Sequence, residues 1–138
     1  MNEQELFNKE LDEIRENSLI ELSQWWGHMY GGYSGTIITK NREVYKYQYY
    51  HTVPNSFEGN AIFINKIRDL NEEEFERINT FIKDEIIDKQ YTNEIMFDAG
   101  FTVVVDYNGI KKVIENNKGT EKDLKIYDIA EKLLEEII

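Results

Sequence analysis

Phe101-Thr102-Val103-Val104-Val105-Asp106-Tyr107-Asn108-Gly109-Ile110-Lys111-Lys112-Val113-Ile114 is the stretch that decides the fold class. Two β-branched, apolar runs flank Asn108-Gly109. A type I′ turn needs positive φ at both central residues, and Asn followed by Gly supplies it at least cost. A two-residue turn sets the register, with Asp106 opposite Lys111, Val103 opposite Ile114 and Val105 opposite Lys112. Phe101, Val103, Val105, Tyr107, Ile110 and Ile114 then share one face, which predicts the core side of a β-hairpin.

Helices are expected on either side of this hairpin. Upstream, Asn71-Glu72-Glu73-Glu74 is a helix start, with Asn71 as cap, Glu74 reaching back and the acids favoured by the helix dipole. Phe75, Ile78, Ile82 and Ile86 give its buried stripe, with Phe81 at the edge, and the helix should end near Asp88-Lys89. Downstream, Thr120 with Asp123 predicts a cap for a last helix whose stripe is Ile126, Ile129, Ala130, Leu133 and Ile137.

Earlier in the chain, Thr36–Thr39 and Glu43–Tyr50 read as strands turning through Lys40-Asn41-Arg42, and Asn60–Ile67 as a third strand. Pro54, which lacks a ladder donor, marks a loop between the second and third. The N-terminal segment reads as one long helix: Asn2 and Glu5 form a capping box, Phe7, Leu11, Ile14, Leu22 and Trp25 follow helical spacing, and Gly27 stops it. The predicted order is α-β-β-β-α-β-β-α. Hairpins followed by helices imply an α+β fold in a single domain spanning residues 1–138, with a largely antiparallel sheet and helices packed mainly on one face.

The 138 residues, 41% of them hydrophobic and 31% charged, are enough to fold without a metal or disulfide staple. No cysteine is present, which excludes disulfides, thiolate metal sites and cysteine nucleophiles. The acidic N-terminus does not resemble a secretory signal, and no apolar run reaches membrane-span length, so a cytoplasmic protein with no membrane association is expected. Abundant Ile, Asn and Lys suit an AT-rich bacterial or phage genome.

Sixteen Lys and Arg against 27 Asp and Glu leave a net charge of −11, which argues against duplex nucleic acid as a partner. The charge is unevenly spread. Residues 1–22 carry −5, residues 67–90 carry −4 and residues 121–138 carry −3, whereas residues 23–66 carry +2. The acidity therefore belongs to the predicted helices, and the aromatic, glycine-rich part, with Lys40, Arg42, Lys46 and Lys66, is mildly basic.

That part opens with Trp25-Trp26-Gly27-His28-Met29-Tyr30-Gly31-Gly32-Tyr33-Ser34-Gly35. Aromatics can stack on a planar ligand, and a glycine-rich backbone can hold an anion. As a ligand set, Trp25, Trp26, Tyr30 and Tyr33 would stack on a nucleotide-like small molecule. Gly31, Gly32, Ser34, Arg42 and Lys46 would hold its phosphate, in a pocket shared across the interface of a homodimer. The alternative is that the glycines make a turn and the tryptophans pack in the core. No phosphate-loop or dinucleotide pattern is met.

Catalytic patterns are weak. Gly32-Tyr33-Ser34-Gly35-Thr36 lacks the second glycine of a nucleophile elbow, His28 and His51 lie outside any metal-ligand spacing, and Asp98 reads as a turn residue. No catalytic residue, metal ligand or cofactor is assigned. Tyr45, Tyr47 and Tyr49 fall on one face of a strand, either as a recognition surface or as the core side. With the acids Glu72, Glu73 and Glu76 of the predicted helix, they make a partner-binding set. The expectation is a small non-catalytic inhibitor or immunity-type or anti-defence protein, whose acidic helices dock on and mask a macromolecule with a basic surface, a protein above all; the remote alternative is a hydrolase-type enzyme using Asp98 as general base or His28.

Overall fold

In the computed structural model, which describes residues 2–27, 31–53, 59, 61–91, 99–119 and 125–138, Asn108 and Gly109 both take positive φ, 48° and 80°. The hairpin they close forms in the expected register, with Asp106 opposite Lys111, Val103 opposite Ile114 and Val105 opposite Lys112. Val103, Val105 and Ile114 are buried, Phe101 and Tyr107 pack at the edge of the same core, and Ile110 emerges to 51% exposure beside the turn.

This hairpin is one end of a six-stranded antiparallel sheet. In chain order the elements are helix α1 (Glu3–Arg15), strands β1 (Ser18–Trp26), β2 (Gly32–Thr39), β3 (Glu43–Tyr50) and β4 (Ile62–Asp69), helix α2 (Glu72–Phe81), strands β5 (Ala99–Tyr107) and β6 (Ile110–Glu115), and helix α3 (Ile126–Ile137). The spatial order is β4-β3-β2-β1-β5-β6, with every neighbouring pair antiparallel. The fold is α+β.

One strand corrects the sequence reading. Residues 18–26 form β1 instead of continuing the first helix, which ends at Arg15. Helical spacing from Phe7 to Trp25 required Ser18 to serve as a buried small residue. As a strand, the same residues alternate, with Ile20 and Leu22 on one side and Glu21, Ser23 and Trp25 on the other. β1 lies between β2 and β5, so it is buried on both sides at Leu19–Leu22, and that continuous burial is what masked its period. Gly27 accordingly follows a strand and stops no helix.

Asn2 caps α1 as expected, its Oδ1 accepting from the Glu5 N–H at 2.8 Å, and Glu5 Oε1 accepts in return from the Asn2 side-chain amide at 3.4 Å. The start of α2 is a full capping box between Asn71 and Glu74. α2 continues as a π-helical turn, Ile82–Ile87, which ends at Asp88. Ile78, Ile82 and Ile86 are completely buried, each contributing about 1.5–3 kcal/mol by removal from water.

For α3, the expected cap at Thr120 and Asp123 lies outside the described residues. The helix begins after Lys125, and the Asp128 carboxylate reaches back to accept from the Lys125 N–H at 3.1 Å and the Gly119 N–H at 2.6 Å. Its buried side is Ile126, Tyr127, Ala130, Leu134 and Ile137, while Ile129 turns outward at 38% exposure. The stripe is thus rotated from the predicted one toward Tyr127 and Leu134.

The helices divide between the two faces of the sheet. α2 with its π-helical turn, and α3, pack over Ile20, Leu22, Ile38, Val44, Val103, Val105 and Ile114. α1 packs on the opposite face, setting Phe7 and Leu11 against Ile37, Tyr47 and Tyr49. No helix among the described residues is long and apolar enough to cross a membrane.

Candidate binding surfaces

The ligand set expected around Trp25–Lys46 does not converge. Trp25 and Trp26, adjacent in a strand, project to opposite faces of the sheet. Trp25 shares its face with its cross-strand partner Tyr33, whereas Trp26 lies with Gly32 and Tyr50 on the other. Arg42 sits in the β2–β3 turn with φ 69°, at the far end of the strands from both tryptophans. Gly31 precedes β2, and its carbonyl accepts from the His51 N–H. Tyr30 and His28 lie outside the described residues, as does Asp98.

The glycines have a packing role that composition alone does not reveal. Gly32 and Gly35 are strand residues, and each faces an aromatic directly across the ladder, as does Gly100. A Cβ on Gly32 would lie 2.9 Å from Trp26 Cζ2. One on Gly35 would lie 2.6 Å from Tyr47 Cζ, and one on Gly100 would lie 2.7 Å from Trp25 Cδ1. Each ring lies over the empty glycine position, and Trp26 meets Tyr50 edge-on across Gly32 with centroids 5.4 Å apart.

At Gly35 this close approach builds a polar centre. Tyr47 on β3 leans across Gly35 on β2, and its hydroxyl donates to Glu21 Oε2 on β1. Arg15, at the end of α1, grips the same carboxylate: Nε donates to Oε1 at 2.9 Å and Nη2 to Oε2 at 2.8 Å. The Arg15 guanidinium also lies 5.6 Å from the Tyr47 ring centroid. Burial works against the Arg15 charge, but the forked contact with Glu21 outweighs it and holds the guanidinium above its usual pKa. Burial, with the Glu21 charge, likewise pushes the Tyr47 hydroxyl well up. The sequence reading missed this cluster. Its signal was a single acid, Glu21, inside the apolar run Leu19-Ile20-Glu21-Leu22.

The tyrosine row of β3 faces α1. Tyr47 is 2% exposed and Tyr49 9%, and Tyr45 packs at the edge of the same cluster. Of the two readings of that row, the core side describes Tyr47 and Tyr49. Tyr49 stacks on Tyr33, whose hydroxyl donates to Asn8 Oδ1 at 2.8 Å, and His51 meets both rings edge-on.

Ser34 and Lys46 do come together, on the face that carries α3. They line a groove of about 400 Å³ with Gln24, Thr36, Gln48 and Phe63 on the sheet side and Tyr127, Glu131 and Glu135 on the α3 side. Gln24 Nε2 donates to Ser34 Oγ at 3.2 Å across its floor.

Glu72, Glu73 and Glu76 are exposed on α2. Among the described residues, no cation lies within ion-pair distance of them. The nearby Arg77 is directed instead to Glu136 of α3, and Arg68 to Glu74. Among the described residues, no group of three His, Asp or Glu side chains is placed to hold a metal ion.

The chain thus belongs to the α+β class, with acidic helices on both faces of the sheet and, on the α1 face, an Arg15–Glu21–Tyr47 centre in which Glu21 and Tyr47 are buried. Compared with known proteins, it matches no family model, no curated protein and no solved structure.

Proposed function

We propose that the protein is a small binding protein of the inhibitor or immunity type, cytoplasmic and non-catalytic, which docks on and masks a macromolecular partner with a basic surface. The observation that supports this is the row of acids on α2 that no cation answers among the described residues. Glu72, Glu73 and Glu76 face outward while the cations nearest in sequence, Arg68 and Arg77, are held by Glu74 and Glu136. Such a surface accelerates encounter with a cationic target and loses that advantage as salt screens it. The test is to capture a partner with the full chain, purify it, and measure association across ionic strength with wild type and with E72K/E73K/E76K. An association rate that falls with salt, and falls again in the triple variant, supports the reading. Rates indifferent to both refute it.

A second reading is a site for a nucleotide-like small molecule, and the groove beside α3 favours it, since its volume suits a small ligand and it holds Ser34 and Lys46. Glu131 and Glu135 on its wall oppose a polyphosphate. Thermal stabilisation by a nucleotide, lost in Lys46→Ala, would favour this reading over docking.

A further inference from the structure

The sheet face beneath α2 and α3 does not stay apolar along its length, and it turns polar where it meets the groove beside α3. We propose that this groove takes a guanidinium, presented as an arginine side chain of the basic partner; the inference rests on the docking reading above.

Cross-strand register sets the floor of the groove. Ile20, Ile38 and Val44 form one buried row across the sheet. Two residues further along each strand, Leu22, Thr36 and Lys46 lie in line, followed by Gln24, Ser34, Gln48 and Phe63. A core face is built of hydrocarbon, so a polar row on it marks a space that the chain's own core does not fill. The opposite wall is α3, through Tyr127, Glu131 and Glu135, spaced four residues apart and hence on one side of the helix. Together these residues bound about 400 Å³, with Leu22 and Leu134 as apolar lining.

The groove is rich in acceptors. Gln24 Nε2 donates to Ser34 Oγ at 3.2 Å and Gln48 Nε2 to the Ala61 carbonyl at 3.5 Å, which leaves both amide oxygens to accept. Tyr127 is 4% exposed, yet among the described residues its hydroxyl has no hydrogen-bond partner. Burial, with the Glu131 and Asp128 charges, pushes its pKa up, so the hydroxyl keeps its proton. Glu131 and Glu135 are like charges one turn apart and repel each other. Among the described residues, the ion pairs of α3 use Asp128 and Glu136, and neither Glu131 nor Glu135 is paired. Lys46 on the sheet side offsets one of these two charges, so the lining keeps an excess negative charge.

Such a site fits a flat cation with several N–H donors and an aliphatic stem. The fork of a guanidinium can engage the two carboxylates together with the amide and phenol oxygens. Its plane suits the Phe63 ring, and its stem suits Leu22 and Leu134. A lysine ammonium offers only three donors from a single point, and a phosphate would meet both carboxylates.

The test is an NMR titration of the full chain with Nα-acetyl-arginine methylamide and with its citrulline counterpart, which keeps the shape and lacks the charge. The arginine compound should bind saturably and shift the signals of Ser34 and Gln48. The citrulline compound should bind about tenfold more weakly or worse, and E131Q/E135Q should weaken the arginine compound by a similar factor. Tyr127→Phe should weaken it about threefold or more. Lys46→Met should strengthen it by removing a competing cation, whereas a phosphate ligand would be weakened by the same change. No saturable shift at the groove overturns the proposal. So does citrulline matching arginine, indifference to E131Q/E135Q or to Tyr127→Phe, or weaker arginine binding in Lys46→Met. The two readings fail separately. Arginine in the groove with partner association indifferent to salt sinks the docking reading alone. Salt-dependent association with citrulline matching arginine sinks the groove alone.

Discussion

Arg15 and Glu21 form a forked pair across the junction of α1 and β1, with Nε to Oε1 at 2.9 Å and Nη2 to Oε2 at 2.8 Å. The two ends of the pair are unequal: the Glu21 side chain is 7% exposed and that of Arg15 39%. The contact closes the loop in which the chain leaves a helix and enters the centre of the sheet. It also holds the carboxylate that receives the Tyr47 hydroxyl.

This asymmetry predicts unequal costs. Arg15→Met leaves a buried carboxylate that, among the described residues, only Tyr47 answers, and should destabilise by about 3 kcal/mol or more. Glu21→Gln leaves an arginine that can turn to water, and should cost about 1–2 kcal/mol. Urea denaturation of both variants checks the order; a larger loss for Glu21→Gln would show that the arginine, not the carboxylate, is the trapped charge.

The glycine–aromatic pairs should also separate. A Cβ at Gly35 meets the Leu22 carbonyl oxygen at 2.6 Å as well as the buried Tyr47 ring, so neither neighbour can yield. Gly35→Ala should cost about 2–3 kcal/mol and detach Tyr47 from Glu21. At Gly100 the nearest atoms all belong to Trp25, which is 42% exposed and free to swing outward. Gly100→Ala should cost about 1 kcal/mol or less and shift the tryptophan fluorescence. Equal losses in thermal melts would contradict this distinction.

Ser18 Oγ is buried with no hydrogen-bond partner among the described residues. Replacing a buried, unanswered hydroxyl by a methyl group removes a desolvation penalty. Ser18→Ala should therefore raise stability by about 1 kcal/mol, read as a higher denaturation midpoint at unchanged slope. A destabilised variant would mean that the hydroxyl is answered in solution.

Acid should loosen the α3 end of the molecule. Burial works against the Asp128 charge, but the Gly119 and Lys125 N–H groups and the Lys118 ammonium prevail and hold its pKa below the usual value. A carboxyl with a folded pKa below its unfolded one stabilises fully above about pH 4 and loses that contribution as pH falls through the folded value. Wild type should lose stability over that window. Asp128→Asn should be weaker at neutral pH and lose less on acidification. Parallel pH profiles of the two proteins would remove Asp128 from the account.

The β5–β6 hairpin, its register, the α2 cap and the α2 stripe were legible from local rules alone, because each depends on residues within a few positions of one another. The alternation of β3 was equally plain, with Tyr45, Tyr47 and Tyr49 opposite Lys46 and Gln48. What that alternation did not say was which side α1 would cover. The candidate site was read less well. Trp25 and Trp26 were grouped because they are neighbours in sequence, yet a strand sends neighbours to opposite faces.

By itself, then, the sequence determined the α+β class, both hairpins, the cap residues of α1 and α2 and the acidity of the helices, all consequences of short-range geometry and composition. Only the tertiary structure decided that residues 18–26 are a strand. A central strand buried on both faces loses the alternation that announces it, and its apolar run suits a helix equally well until neighbours supply the ladder. The same holds for the glycines and for Glu21. Whether an empty Cβ position admits a ligand or a ring, and whether a lone acid meets water or an arginine, depends on residues that only folding brings together.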